Sequence, residues 1–185
     1  VCLVFEKVNT GGKPLDAFEL VTAMYAADGH ELRKDWYGDN TVKGRLSRLR
    51  ETLRPAGQEQ GILAHVSNTD FLQAISLFHT RDKRIAAEIA GKKGKELPQV
   101  TGKKEALLNL PLEAYKKYEF VVEEGFTKAA KFLHTLHIYR IFDLPYQSQL
   151  IPLAVILADV GLAWEHEANR AKLVRWYWCG VFGGL

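Results

Sequence analysis

The clearest structural pattern in this chain is the run Leu112-Glu-Ala-Tyr-Lys-Lys-Tyr118-Glu-Phe-Val-Val122-Glu-Glu-Gly-Phe126-Thr-Lys-Ala-Ala-Lys-Phe132-Leu-His-Thr-Leu136. Its apolar residues recur every three or four positions, which is the spacing of one face of an α-helix. Pro111 stands just before the run, and proline suits the first position of a helix. A helix over this run would have roughly seven turns. Its length predicts the central helix of a helical bundle.

Shorter helical patterns lie on both sides of this run. Each shows either apolar spacing of three and four or an almost wholly apolar composition. They cover approximately residues 17–27, 31–54, 68–78, 147–160 and 165–182. Gly38-Asp39-Asn40 could break the second, and Asn68 or Thr69 is the expected N-cap of the third. The sequence has no regular alternation of strands with helices and no internal repeat. We therefore expect one mainly α-helical domain over residues 1–185, a bundle of about six to eight helices.

Composition excludes several classes of protein. The 185 residues carry a net charge of +3, which is too weak to indicate nucleic-acid binding without other signals. The most apolar stretch, residues 151–160, is interrupted by Pro152 and Asp159, so we expect no membrane span. Cys2 and Cys179 lie near opposite ends and match neither a disulfide framework nor a metal site. We expect a cytoplasmic protein.

A second informative stretch is Phe5-Glu-Lys-Val-Asn9-Thr-Gly-Gly-Lys-Pro14-Leu15-Asp16-Ala-Phe18-Glu19-Leu20. Gly11 and Gly12 can adopt the positive φ angles that other residues avoid, and consecutive backbone N–H groups in such a turn can form a concave anion-binding nest. Lys13 adds a positive charge. A side-chain amide at Asn9 would face the turn and could either donate to an anion or cap a preceding helix.

A helix is expected to follow this turn. Asp16 and Glu19 match a capping box, which predicts a helix that starts at about Ala17. A glycine turn, a lysine and a helix N-terminus in succession indicate a phosphate or carboxylate site. The competing interpretation is that Gly11-Gly12 only ends one helix and lets the next fold back. Spacing alone favours this simpler interpretation, because glycine-rich turns are common.

The same residues resemble a known family. Phe5-x-x-x-Asn9-Thr-Gly-Gly-x-x-Leu15 with Phe18-Glu19-Leu20 is similar to a signature of the GmrSD-type restriction-endonuclease N-terminal domain. Residues 143–154 and 175–183 resemble two further blocks of that family. Its members have a ParB-like core and are associated with nucleotide hydrolysis in defence against foreign DNA. Of the family's two hallmark motifs, Phe-x-x-x-Asn is present as Phe5 and Asn9, whereas Asp-Gly-Gln-Gln-Arg is absent.

The resemblance implies a function and its partners. Asn9, Gly11, Gly12 and Lys13 would belong to a nucleotide-phosphate site, and the missing motif would bind metal and activate water. We therefore expect a hydrolytically inactive fragment of an NTPase or endonuclease, lying downstream of the missing region, whose intact form uses a nucleoside triphosphate and a divalent metal. The implied partners are the upstream segment of the same protein, DNA and, in some members, a C-terminal HNH nuclease domain.

Two other segments suggest an alternative, a non-catalytic helical module that binds a protein or DNA. Residues 91–104 form a basic segment in which Lys92, Lys93 and Lys95 could contact phosphates, although a solvated mobile loop explains this composition better. The block Trp176-Tyr177-Trp178 could stack on bases, although aromatic residues more often fill a core.

The histidines suggest no metal site. His134 and His137 would share a helix face only if the long helix continued through both. No cysteine or acidic residue at suitable spacing supplies a third ligand for a metal ion. We therefore assign no catalytic residue and no metal site within this chain.

Overall fold

The computed structural model describes residues 16–54 and 60–183, and within these ranges it contains eight α-helices and no β-strand. The predicted mainly α-helical fold is confirmed. The helices are α1 (Ala17–Ala27), α2 (Leu32–Tyr37), α3 (Arg45–Glu51), α4 (Asn68–Ile89), α5 (Lys104–Leu108), α6 (Leu112–Thr135), α7 (Leu150–Val160) and α8 (Glu167–Gly183). Short 3-10 turns lie at Gly94–Glu96, Ile141–Asp143, Gln147–Gln149 and Gly161–Glu165.

The chain divides into two compact units. Of the described residues, the first unit holds 16–46 and 67–119, and the second holds 47–54, 60–66 and 120–183. The division falls within α3 and within α6. Each unit has its own set of buried apolar side chains, including Phe18 and Phe71 in the first and Phe126 and Phe132 in the second.

In the first unit, α1 begins where the sequence predicts. The Asp16 carboxylate accepts a hydrogen bond from the Glu19 backbone N–H at 2.8 Å, as an N-cap does. The Glu19 carboxylate accepts from Arg33 at 3.0 Å instead of completing a capping box. Farther along α1, the buried Tyr25 hydroxyl donates to the carbonyl of Leu110 at 3.1 Å. That bond ties the first helix to the segment just before α6.

The N-cap of α4 is Ser67, so the prediction of Asn68 or Thr69 was wrong. The Ser67 hydroxyl accepts from the Asp70 N–H at 3.1 Å, and the Asp70 carboxylate accepts from the Ser67 N–H at 2.9 Å. This reciprocal capping box satisfies two helix-end donors at once. The helix also continues past the apolar pattern as far as Ile89. Charged helix formers sustain that extension, including an Arg84–Glu88 pair at 3.0 Å.

In the second unit, α6 and α7 approach each other closely at Gly125. A Cβ atom on Gly125 would lie 2.5 Å from the carbonyl oxygen of Ala154 and 2.8 Å from the Cβ of Ala158. Only glycine allows this separation of the two helices. The buried faces of α6 and α7 continue with Phe132 and Leu153, both fully shielded from solvent.

The long helix ends before the second of its two candidate histidines. α6 stops at Thr135, and His137 adopts a left-handed φ of 60°. The Ile138 N–H donates to the Leu133 carbonyl at 3.1 Å, which closes the helix end. His134 and His137 therefore do not share a helix face, because the left-handed residue ends the helical repeat between them.

One helical run among the described residues is apolar enough for its length to allow a membrane crossing. The run Gln147–Glu165 has 19 residues, and its most apolar part has a mean hydropathy of 1.3 and is 33% buried. Core helices of soluble proteins also pass this test of length and composition, so a single run is weak evidence. Leu153 and Leu157 on this run are fully buried in the second unit.

Candidate anion-binding cleft

The predicted nucleotide-phosphate site lies outside the described residues, which include none of Asn9, Gly11, Gly12 and Lys13. The described residues begin at Asp16, the N-cap of α1. The carboxylate of Asp16 already accepts a hydrogen bond from one backbone N–H of the first turn of α1. The roles assigned to the four residues remain predictions.

The three lysines of the basic segment are exposed. Lys92 and Lys93 follow the end of α4, and Lys95 lies in the 3-10 turn Gly94–Glu96. The end of the segment contacts α4, because the Thr101 carbonyl accepts from the Ser76 hydroxyl at 3.1 Å. Nucleic-acid contacts by these lysines and mobility of residues 91–104 remain predictions.

The aromatic block of α8 has both buried and exposed members. Tyr177 is fully buried and lies 6.4 Å from the ring of Phe132, with the two rings nearly perpendicular. Burial raises the pKa of the Tyr177 hydroxyl to about 12. Trp176 is exposed, and Trp178 stacks on Phe182 at 5.7 Å between ring centroids. The core interpretation therefore describes Tyr177, whereas Trp176 is available to solvent.

A buried arginine organises the polar interior of the first unit. The Arg45 side chain is only 1% exposed, and its Nε donates to the Asp35 carboxylate at 2.8 Å. One terminal nitrogen donates to the Glu119 carboxylate, and another donates to the Glu119 carbonyl at 3.3 Å. The guanidinium carbon lies 5.5 Å from the centroid of the Phe71 ring. This cation has partners on several sides, as a buried charge requires.

Charge coupling in this cluster is strong. Burial opposes the charge on Arg45, but the Asp35 hydrogen bond and the neighbouring Tyr115 and Glu119 raise its pKa above the usual value. Burial, with the adjacent Asp35 carboxylate, raises the pKa of Tyr115 well above its usual range, and the Tyr115 hydroxyl donates to Asp35. With both pKa values raised, Arg45 is charged and Tyr115 is neutral near neutral pH. The cluster therefore joins residues of α2, α3 and α6 within the first unit.

The second unit contains a polar cleft. It has a volume of about 480 Å³ and is lined by Ser47, Arg50, Glu51, Arg54, Gln60, Ala64 and His65. The first three residues lie on α3, and the last three belong to the segment that leads toward α4. Two arginines, a histidine and a hydroxyl around one recess form the donor set that commonly binds carboxylates and phosphates.

Backbone contacts fix the two walls of this cleft. The Arg50 Nε donates to the Ala64 carbonyl at 3.3 Å, which joins α3 to the opposite segment. Leu53 adopts a left-handed φ of 49°, an unfavourable conformation for a leucine. A Cβ on Gly61 would lie 3.3 Å from the Cα of Arg54, so the two backbones pass close together. Strained backbone conformations often occur at binding sites.

Several arginines elsewhere in the described residues pair with a carboxylate, whereas those of the cleft do not. Arg33 pairs with Glu19 at 3.0 Å, Arg48 with Glu123 at 2.6 Å, and Arg140 with Asp143 at 2.8 Å. Within the described ranges, neither Arg50 nor Arg54 forms an ion pair with a carboxylate. Their positive charges are therefore available to a ligand.

The cleft was not predicted from the sequence. Ser47, Arg50 and Arg54 are spaced three and four apart, which in one continuous helix would put them on a shared face, but α3 ends at Glu51 and Arg54 lies beyond it. The other wall comes from residues 60–65, for which the sequence predicts only an uncertain connection. In the part of the chain that the structure describes, no group of three or more histidine, cysteine, aspartate or glutamate side chains is placed to hold a metal ion.

Comparisons with known proteins identify no relative. No family model matches the sequence, no curated protein matches it, and no solved structure matches the fold. The class that the structure defines is a mainly α-helical protein with a polar, arginine-lined cleft.

Proposed function

We propose that this chain is the helical portion of a GmrSD-like, NTP-dependent DNA-restriction protein of the cytoplasm. In the intact protein it would contribute Asn9, Gly11, Gly12 and Lys13 to a nucleotide-phosphate site. The observation that supports the proposal is the position of α1. The helix begins at Ala17 with Asp16 as its N-cap, so a capped helix follows Gly11-Gly12 in the sequence, as the resemblance implies.

The cap also indicates how the phosphate would be held. Because Asp16 places a negative charge at the first turn of α1, the helix end itself is a poor site for a second anion. The backbone N–H groups of Gly11 and Gly12 would therefore hold the phosphate, with Lys13 as its counter-charge. Asn9 would donate its amide hydrogens to the same oxygen atoms.

The intact protein would supply what this chain lacks. A nucleoside triphosphate and a divalent metal would bind with the upstream Asp-Gly-Gln-Gln-Arg segment, and DNA would be the target. An HNH nuclease domain would follow in members that cut DNA. The 185-residue chain would not hydrolyse nucleotide alone.

The test is phosphate release from ATP and from GTP with magnesium, measured on this chain and on the intact protein. We expect turnover by the intact protein only. Lys13→Ala and Asn9→Ala should reduce it, whereas Lys172→Ala, at an exposed position of α8, should not. Hydrolysis by the 185-residue chain alone, or full activity of both turn variants in the intact protein, would refute the proposal.

A second candidate function is a non-catalytic helical module that binds DNA or a protein. The exposure of Lys92, Lys93 and Lys95 favours it. DNA binding that weakens with salt and is lost when the three lysines are replaced by alanine would support this function. An intact protein whose melting temperature does not respond to nucleotides would support it as well, because a bound ligand stabilises the folded state.

A further inference from the structure

We propose that the cleft of the second unit is a binding site for a small phosphomonoester. The site is independent of the proposed nucleotide site at the glycine turn. It is formed by Arg50 and Arg54 as cations, with Ser47 and His65 as additional donors.

Charge is the first argument for a phosphate ligand. Arg50 and Arg54 line one recess, and neither is neutralised by a carboxylate within the described ranges. Among the described lining residues, Glu51 contributes one negative charge against the two arginines, so these residues keep a positive net charge without counting His65.

The number of donors is the second argument. A guanidinium presents a planar fork that binds two oxygens of a phosphate or carboxylate. Arg54 can offer its whole fork, whereas Arg50 offers its terminal nitrogens, because the Arg50 Nε already donates to the Ala64 carbonyl. Together with the Ser47 hydroxyl and the His65 ring, these donors outnumber the two oxygens of a carboxylate. A phosphate monoester has three terminal oxygens and can use this donor set more fully.

Size and rigidity are the third argument. A volume of about 480 Å³ lies within the range of small-molecule sites. The Arg50–Ala64 hydrogen bond at 3.3 Å and the close approach of Gly61 to Arg54 position the backbone of the two walls before any ligand binds, while the Arg50 and Arg54 side chains are exposed. A preformed site loses less conformational entropy on binding.

The test is isothermal titration calorimetry on the whole chain at low salt, with inorganic phosphate, glycerol 3-phosphate and AMP as probes and glycerol as the uncharged control. We expect phosphate to bind with a Kd below about 1 mM, both esters to bind at least as tightly, and glycerol not to bind. Arg54→Gln should weaken phosphate binding about tenfold or more. Arg54→Lys should retain part of the affinity, because it keeps the charge and loses the fork.

Control variants distinguish binding in the cleft from a general effect of removing one positive charge. Arg170→Gln makes the same charge change at an exposed position of α8 and should leave the affinity unchanged. Arg50 also donates to the Ala64 carbonyl, so Arg50→Gln is informative only if its circular dichroism spectrum matches that of the parent. Arg54→Gln leaves that hydrogen bond in place and needs no such condition. Absence of binding at millimolar phosphate, or equal losses in Arg54→Gln and Arg170→Gln, would overturn the proposal.

Lys13→Ala distinguishes this site from the glycine turn. Unchanged phosphate affinity in Lys13→Ala supports the cleft, whatever the fate of the proposed nucleotide site. Phosphate binding that is lost in Lys13→Ala and survives in Arg54→Gln would overturn the cleft and support the glycine turn.

Discussion

Replacing Arg45 by methionine should destabilise the first unit severely. The Arg45 side chain is 1% exposed, and it contacts carboxylates of Asp35 and Glu119 whose side chains are 23% and 14% exposed. Methionine fills much of the same volume but leaves two carboxylates without their cation. Breaking one side of a buried ion pair costs about 3–5 kcal/mol. Because both carboxylates keep some contact with water, we expect a loss near the lower limit, about 3 kcal/mol.

Urea unfolding followed by circular dichroism measures this loss. With a slope of about 2 kcal/mol per molar urea, the midpoint should fall by about 1.5 M. The matched control is Arg33→Met, because Arg33 is 60% exposed in its pair with Glu19. That exposed pair should contribute no more than about 1 kcal/mol.

A triple variant tests the physical reason for the loss. Adding Asp35→Asn and Glu119→Gln to Arg45→Met removes the two unpaired charges, so it should recover part of the lost stability. Equal effects of Arg45→Met and Arg33→Met would refute the reasoning, since burial would then not determine the outcome. A triple variant less stable than Arg45→Met alone would show that the loss arises from packing and not from unpaired charge.

Two further predictions concern packing and pH. Gly125→Ala should lower the free energy of unfolding by about 2 kcal/mol despite the better helix propensity of alanine. The reason is that the added Cβ would lie 2.5 Å from the Ala154 carbonyl oxygen. An unchanged melting temperature would contradict this close approach of the two helices. Acidification from about pH 7.5 to 5 should destabilise the protein, because burial lowers the pKa of three histidines and the unfolded chain then binds more protons. These are His30, His79 and His134. Urea unfolding midpoints at both pH values measure this loss of stability. His134→Gln should make the fall in midpoint smaller, and a midpoint that rises on acidification would contradict the prediction.

The helices were the most predictable part of the fold. Apolar spacing alone indicated α6, which spans Leu112–Thr135, and the Asp16 cap indicated α1 at its observed start. Periodicity works for these segments because one face of each helix is buried and the other is solvated. The cap of α4 was missed by one residue, because Ser67, Asn68 and Thr69 are all good N-cap residues and only the partner at Asp70 distinguishes them.

The polar sites could not be predicted from local patterns. Arg45 lies in a charge-rich segment that suggests a solvated helix, and its burial depends on Glu119, which is far away in sequence. The cleft combines α3 with residues 60–65, and the only local hint was the spacing of Ser47, Arg50 and Arg54. Long-range pairing of this kind leaves no periodic signal in a single sequence.

Helix α3 illustrates why residue type alone does not assign a role. Its sequence Arg-Leu-Ser-Arg-Leu-Arg-Glu contains three arginines in seven residues. Arg45 is buried between carboxylates in the first unit, Arg48 pairs with Glu123 in the second, and Arg50 lines the cleft without a carboxylate partner in the described ranges. The first two charges are neutralised within the fold, so substituting them should affect stability more than binding. The charge of Arg50 has no carboxylate partner in the described ranges, so the anion of a ligand can pair with it. Substituting Arg50 should therefore change ligand binding most.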